Sequence, residues 1–316
     1  MTVAVPLPAT VGMRPAVLGS VTPTRVRDVP VSVHLPVARP DEHHLFRPAV
    51  LDWLDPETEY TSYSDADDRP ESPWGFTIAE GDGPVLGVSQ VVLTAAAVDD
   101  GEAKAVVRTL TKHFGAWFDS MKDWCEALTL QDLDYVAPRR RFAIEGAHWG
   151  AWFDQTGVGT LGHMAFDFDY GEPLELAPWE RICVLASSGS RPSTEHLLLR
   201  DVRGALNRHL YRRSVVDAAT AMEIALYELL HAEFRADQSK LAGQLIDLAE
   251  RWTLGTLVTN VGKIVTLPLA LNTDAVGLRN KVVHRSAYTP TEDEAGRWLA
   301  LATAVVTQAN PMPAVR

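Results

Sequence analysis

The segment Leu278-Arg279-Asn280-Lys281-Val282-Val283-His284 sets cationic and hydrogen-bonding side chains into a run that otherwise has core character. A guanidinium offers phosphate oxygens a fixed fork of donors, and an imidazole gives or takes a proton near neutral pH. Arg279 and His284 therefore supply the two side chains best suited to cleaving a phosphodiester. On a helix, residues five apart differ by about 140°, so only side-chain reach can bring this pair together. Asn280 and His284 stand four apart and share a face, which suits Asn280 to orienting the imidazole or bonding across a bundle. Lys281 and Arg285 add positive charge for an RNA strand. The same residues also fit a structural network in which Arg, Asn and His satisfy one another and nearby carbonyls.

The elements that must position this segment are helical. Beyond the turn residues Ser187 to Ser193 the strand signal stops, and helical periods predict helices near 194–211, 214–234, 238–253, 254–265, 274–284 and 292–308. Thr273 can cap the fifth of these, and Thr291 with Glu294 has the spacing of a capping box before the sixth. Short connections favour antiparallel packing into a bundle.

The run Asp201 to Leu230, with Ala221-Met222-Glu223 in its second helix, and the later Arg279-x4-His284 with Tyr288, Pro290 and a final amphipathic helix beyond it, resemble the HEPN superfamily (higher eukaryotes and prokaryotes nucleotide-binding). The resemblance covers roughly residues 195–308. It implies a helical bundle that forms a homodimer, with two Arg/His pairs lining one cleft, and an endoribonuclease that needs no metal or other cofactor. Arg279 would hold the phosphate and His284 would act as general acid or base; Glu223 fits either a partner that positions Arg279 or an ordinary buried ion-pair partner whose loss harms stability alone. Some members of the family carry Tyr two positions after the His, where this chain has Ser286. The resemblance equally admits a non-catalytic binding module in a regulatory protein.

The first 190 residues read differently. They hold 14 Lys and Arg against 28 Asp and Glu, a balance of −14, whereas residues 191–316 hold 15 against 13, a balance of +2. Phosphate affinity comes mainly from Lys and Arg, so a polyanion site belongs in the second part. An acidic first part docked closely would compete with RNA for the same cations and restrain the helical part. Within 1–70, rich in Pro and acidic clusters, only Val31 to Leu35 reads as a strand, the rest as loop. Trp74 to Val98 predicts a hairpin or two strands, and 102–128 a helix with Val106, Leu110, Phe114, Trp117, Met121 and Trp124 along its core stripe. Further strands are expected at 141–144, 164–170 and 181–186. The expected architecture is an α+β first domain, 1–190, serving as sensor or partner-binding module, then an all-α bundle, 191–316.

Other chemistry has weaker support in the sequence. His163 with Asp167 and Asp169 has the residue types of a metal site, but the alternating Phe166, Phe168 and Tyr170 suit a strand with one wet face. His43 and His44 lie in an acidic loop, Arg139 to Arg141 suit local charge balance, and Trp149 and Trp152 suit core packing. The two cysteines, Cys125 and Cys183, sit in apolar patterns, which excludes a disulfide framework. The chain has no glycine-rich phosphate loop and no Gly-x-Ser-x-Gly elbow. No stretch of eighteen apolar residues occurs, and prolines 6 and 8 interrupt the start, so a cytoplasmic chain without a membrane span is expected.

Overall fold

A computed structural model describes residues 1–38, 45–51, 74–79, 84–133, 147–153, 156–164, 172–235, 240–268, 271 and 273–313. The chain divides into two compact units, Met1–Phe118 with Gln131–Ser187, and Asp119–Leu130 with Ser188–Arg316.

The first unit is built on a five-stranded antiparallel sheet. Its strands are β1 (Thr2–Met13), β2 (Val21–Val26), β3 (Val29–His34), β6 (Gly75–Ala79) and β7 (Val85–Thr94); the short pair β4 (Val37–Ala38) and β5 (Leu45–Phe46) lies apart. The order runs β1-β7-β3-β2, and β6 also pairs with β7. Strands β1 and β2 of the sheet, and the short β4 and β5, fall where the sequence reading places no strand. In β1 the prolines lack an amide donor, and the ladder to β7 shifts register between Pro6 and Val11; the strand survives because it stands at the edge of the sheet. In β2 the buried positions include threonines, whose polarity hides the alternation, yet each hydroxyl is satisfied. Thr22 accepts from the indole of Trp179 at 2.9 Å, Thr24 accepts from Trp117 at 3.2 Å, and Thr24 donates to the carbonyl of Cys183 at 2.8 Å. Gly75 has φ +135°, and a Cβ there would overlap the Gly87 carbonyl oxygen, so β6 can pair with β7 only with glycine at this point.

Helix α1 (Asp100–Thr129) buries Leu110, Phe114, Trp117, Phe118, Met121 and Trp124, the stripe its period predicts, with Val106 half-buried at its margin. Helix α2 (Leu176–Ser187) replaces the strand expected at 181–186. The apolar run there is short, but Trp179, Ile182, Cys183 and Ala186 are all buried at helical spacing, and Pro178 sits near the helix start, where its missing amide costs nothing. A separate hairpin joins β8 (Ala147–Phe153) to β9 (Thr156–Met164). The strand expected at 141–144, and all but the first residue of the one expected at 164–170, lie outside the described residues.

The second unit is helical: α3 (Thr194–Asn207), α4 (Tyr211–Phe234), α5 (Lys240–Ala249), α6 (Leu254–Val261), α7 (Thr273–His284) and α8 (Glu292–Ala309). The fold is thus an antiparallel sheet region followed by a helical one, α+β and then all-α. Helix α4 is central and packs against each of the other five. Its buried stripe mixes Ala218, Ala221 and Ala225 with Met222, Leu226 and Leu230; the small residues let helices approach and the large ones fill the gaps. Helix α8 returns Trp298, Ala302, Val305 and Val306 to the same core.

Residues 119–130, which the sequence reading assigns to the first domain, belong to the helical unit. The reason is electrostatic as well as apolar. Asp123 and Glu126 are buried carboxylates, and Arg200 of α3 bonds Asp123 and lies 3.6 Å from Glu126, while Arg203 donates to the Glu126 carbonyl at 2.7 Å. Buried charges persist only when paired. At the other end of α3, Asn310 donates to Glu195 at 2.9 Å and its carbonyl lies 2.7 Å from the His196 Nε2, which clasps the start of α3 to the end of α8.

Candidate functional site

Helix α7 carries the sequence-predicted residues. Val282 is fully buried and Val276 and Leu278 are half-buried, so one narrow face holds the helix on α4 and α6. Thr273 is its first residue rather than its cap. Arg279, three positions before Val282, points partly toward α4, where Glu223 waits: Nη2 lies 3.8 Å from Glu223 Oε1, with side chains 29% and 32% exposed. Burial raises the Glu223 carboxyl above its ordinary range, against the opposing attraction of Arg279. Asn280 Oδ1 accepts from Arg279 Nη1 at 3.4 Å. Asn280 thus bonds the guanidinium and not the imidazole it is suited to orient.

His284, in the last turn, is exposed and has no hydrogen-bond or ion-pair partner among the described residues. Lys281 and Arg285 are exposed too. The structure brings Glu223, Arg279 and Asn280 together, and joins none of them to His284 by a hydrogen bond or ion pair.

The turn after His284 is tied down by a residue that motif reading passes over. Arg212, in the first turn of α4, donates from Nη1 to the carbonyls of Arg285 (3.3 Å), Ser286 (3.1 Å) and Tyr288 (3.4 Å). These are carbonyls that the end of α7 and the residues beyond it cannot satisfy within a helix. The signal was present: Arg212 and Arg213 open a helix whose macrodipole disfavours cations there, so another task must hold them. Tyr288 donates to Glu294 Oε1 at 2.8 Å, a bond that raises the phenol above its ordinary range, and Glu294 completes the capping box with Thr291. The tyrosine nearest the motif thus locks the α7–α8 turn.

Beside that turn lies an open groove of about 530 Å³ lined by His209, Tyr211, Arg212, Arg213, Val216 and Thr289 among others. Leu210 and Val216 are exposed apolar surface there, and Arg213 pairs with Asp217 at 3.2 Å. The segment that carries His284 thus adjoins a groove with a cationic rim and an apolar floor.

Burial pushes the Cys125 thiol up to about 12 and the Cys183 thiol well above its ordinary value, so both are inert core residues. Among the described residues no three His, Cys, Asp or Glu groups gather as metal ligands; Asp167 and Asp169, like His43, His44 and Arg139 to Arg141, lie outside them. Trp149 and Trp152 lie on β8, and backbone register sets His148 opposite His163 on β9. No helix among the described residues is long and apolar enough to cross a membrane. Comparison with protein-family models, with curated proteins and with solved structures finds no match.

Proposed function

We propose that the helical unit is a metal-independent endoribonuclease of the HEPN type, with Arg279 holding the scissile phosphate and His284 moving a proton. The observation that carries this reading is the Arg279–Glu223 pair, a guanidinium held at the surface of the bundle on the helix that ends in His284, exposed and without a side-chain partner among the described residues. The ribose 2′-oxygen attacks the adjacent phosphorus and the bond from phosphorus to the 5′-oxygen breaks. The products are a 2′,3′-cyclic phosphate and a 5′-hydroxyl. One proton leaves the attacking oxygen and one reaches the leaving oxygen, and an imidazole at either position speeds its transfer. Arg279 stabilises the charge that develops on the phosphate. A second copy, forming a homodimer, supplies the imidazole for the other transfer. DNA lacks the attacking hydroxyl and survives. In this reading Lys281 and Arg285 bind RNA, and the first unit serves as sensor or docking module of a toxin or phage-defence effector acting in the cytoplasm.

A second reading has its own support. Glu223 and Asn280 both engage the Arg279 fork, as they would in a non-catalytic dimerisation module whose polar residues satisfy one another. Incubating the full chain with total RNA in EDTA, beside His284→Ala, separates the two. Cleavage that survives chelation and falls by about 100-fold or more in the variant supports the enzyme. Equal cleavage by both proteins, or cleavage restored only by a divalent ion, removes it.

A further inference from the structure

The first unit carries an island of positive charge that its acidic composition does not explain. An open groove of about 370 Å³ runs between the β2–β3 turn and one face of α1, lined by Arg27, Asp28, Arg108, Thr109, Lys112 and His113 among others. Arg27 stands in the turn at φ +56°, a left-handed conformation that a long side chain adopts only at a cost. The turn is braced there: Arg25 donates to the Asp28 carbonyl at 3.0 Å, and Arg27 Nη1 lies 2.9 Å from His113 Nε2 on α1. These contacts fix the Arg27 fork beside the Arg108–Lys112 face.

Arg108 and Lys112 are four residues apart, about 5–6 Å between Cβ atoms, a spacing at which like charges repel and at which two cations reach one tetrahedral anion. Neither has a carboxylate partner among the described residues, and both are exposed. The same helix pairs a cation where it has no other use for it: Lys104 bonds Asp100 one turn away. Among the described residues that line the groove the one carboxylate, Asp28, is 87% exposed and reaches Arg27 Nε at 3.4 Å. The lining thus holds three formal positive charges against one negative, in the part of the chain that is acidic elsewhere.

We propose that this groove binds a phosphate group, with Arg108 and Lys112 as its charge partners and Arg27 supplying the donor fork. The groove sits at the small end of ligand sites and has no Phe, Tyr or Trp among its described lining residues, so its recognition is of the phosphate and not of what the phosphate is attached to. The ligand is free phosphate or the terminal phosphate of a small ester. This site is separate from the α7 residues and does not depend on their activity.

Calorimetric titration of the full chain at low salt, with inorganic phosphate, a nucleoside 5′-monophosphate and the unphosphorylated nucleoside, tests it. Both phosphates are expected to bind and the nucleoside to give no heat; tighter binding of the monophosphate assigns an ester as ligand, and equal binding assigns the free ion. Arg108→Gln and Lys112→Gln should each weaken binding about tenfold, and Lys104→Gln should leave it unchanged. All three positions are exposed, so folding is preserved, and circular dichroism checks it. Undetectable phosphate binding, or binding that the Arg108 and Lys112 variants leave intact, overturns the proposal.

Discussion

The Arg279 side chain is the point at which composition, position and partner agree most closely. Replacing it with Ala should abolish RNA cleavage, with an effect on kcat of about 100-fold or more. Glu223→Gln tests positioning separately. Because burial raises the Glu223 carboxyl, its folded form holds a proton more tightly than the unfolded chain, so its contribution to stability falls as pH rises through the raised value. The Gln variant should therefore melt no lower than the parent at neutral pH while cleavage drops through a looser Arg279, a combination that a merely structural glutamate would not produce. Glu195 behaves in the opposite sense. Burial pushes its carboxyl up, but the bond from Asn310, with His196 beside it, helps bring it below the ordinary value. Its stabilisation is present above the unfolded value of about 4.3 and is lost as pH falls through the lowered one. Thermal melts below that pH should show a steeper loss in the parent than in Glu195→Gln. At this scale the sequence carries Arg279 and His284 because their residue types are rare in a core run, and Glu223 only through the family resemblance. It does not carry Arg212 or the Glu195–Asn310 clasp, whose partners lie 73 or more residues away.

Among the elements, α8 is the most legible, since its start is written locally in Thr291 and Glu294 and both halves of the capping box form. Thr291→Ala should cost about 1 kcal/mol, read as a lower denaturant midpoint with unchanged slope. Trp298→Ala, in the same helix but at the heart of the bundle, should cost about 3–5 kcal/mol. The elements that escape the sequence do so for identifiable reasons. Strand β2 buries Thr22 and Thr24, whose indole and carbonyl partners come from α1 and α2, so its alternation looks polar on both sides. Helix α2 reads as a strand because six apolar-rich residues cannot distinguish a buried helix from a buried strand until Trp179 is counted as part of the stripe. Strand β1 is hidden by its prolines. Helices α3, α4 and α8, by contrast, are long enough for the period to average over several turns.

For the whole molecule, the charge asymmetry of −14 against +2 predicts that the helical part alone binds RNA better than the full chain, with the difference shrinking as salt rises. Equal binding at low salt would leave the first unit without a restraining role. The unit boundaries decide which fragment is suitable. A fragment of residues 191–316 loses Asp123 and Glu126, and half-buried Arg200 keeps only Asp201 of its three carboxylate partners among the described residues. Removing the same partners in the full chain, by Asp123→Asn with Glu126→Gln, should cost about 3 kcal/mol, measured by denaturant unfolding. The sequence suggests a cut at the Ser187 to Ser193 turn because strand periods stop there; a helix begun in one unit and completed in the other leaves no such mark.

That shared helix changes what a broken peptide bond would do. A protease cutting at Arg191 would sever the backbone without dismantling the bundle, since residues 119–130 upstream of the nick are held by Arg200 and Arg203 downstream of it. The two pieces should co-elute on a sizing column and part only in denaturant. By the same logic, the bundle cannot be inherited or transplanted as one uninterrupted cassette: a recombination junction at residue 188 delivers six helices without the segment that pairs their half-buried arginine.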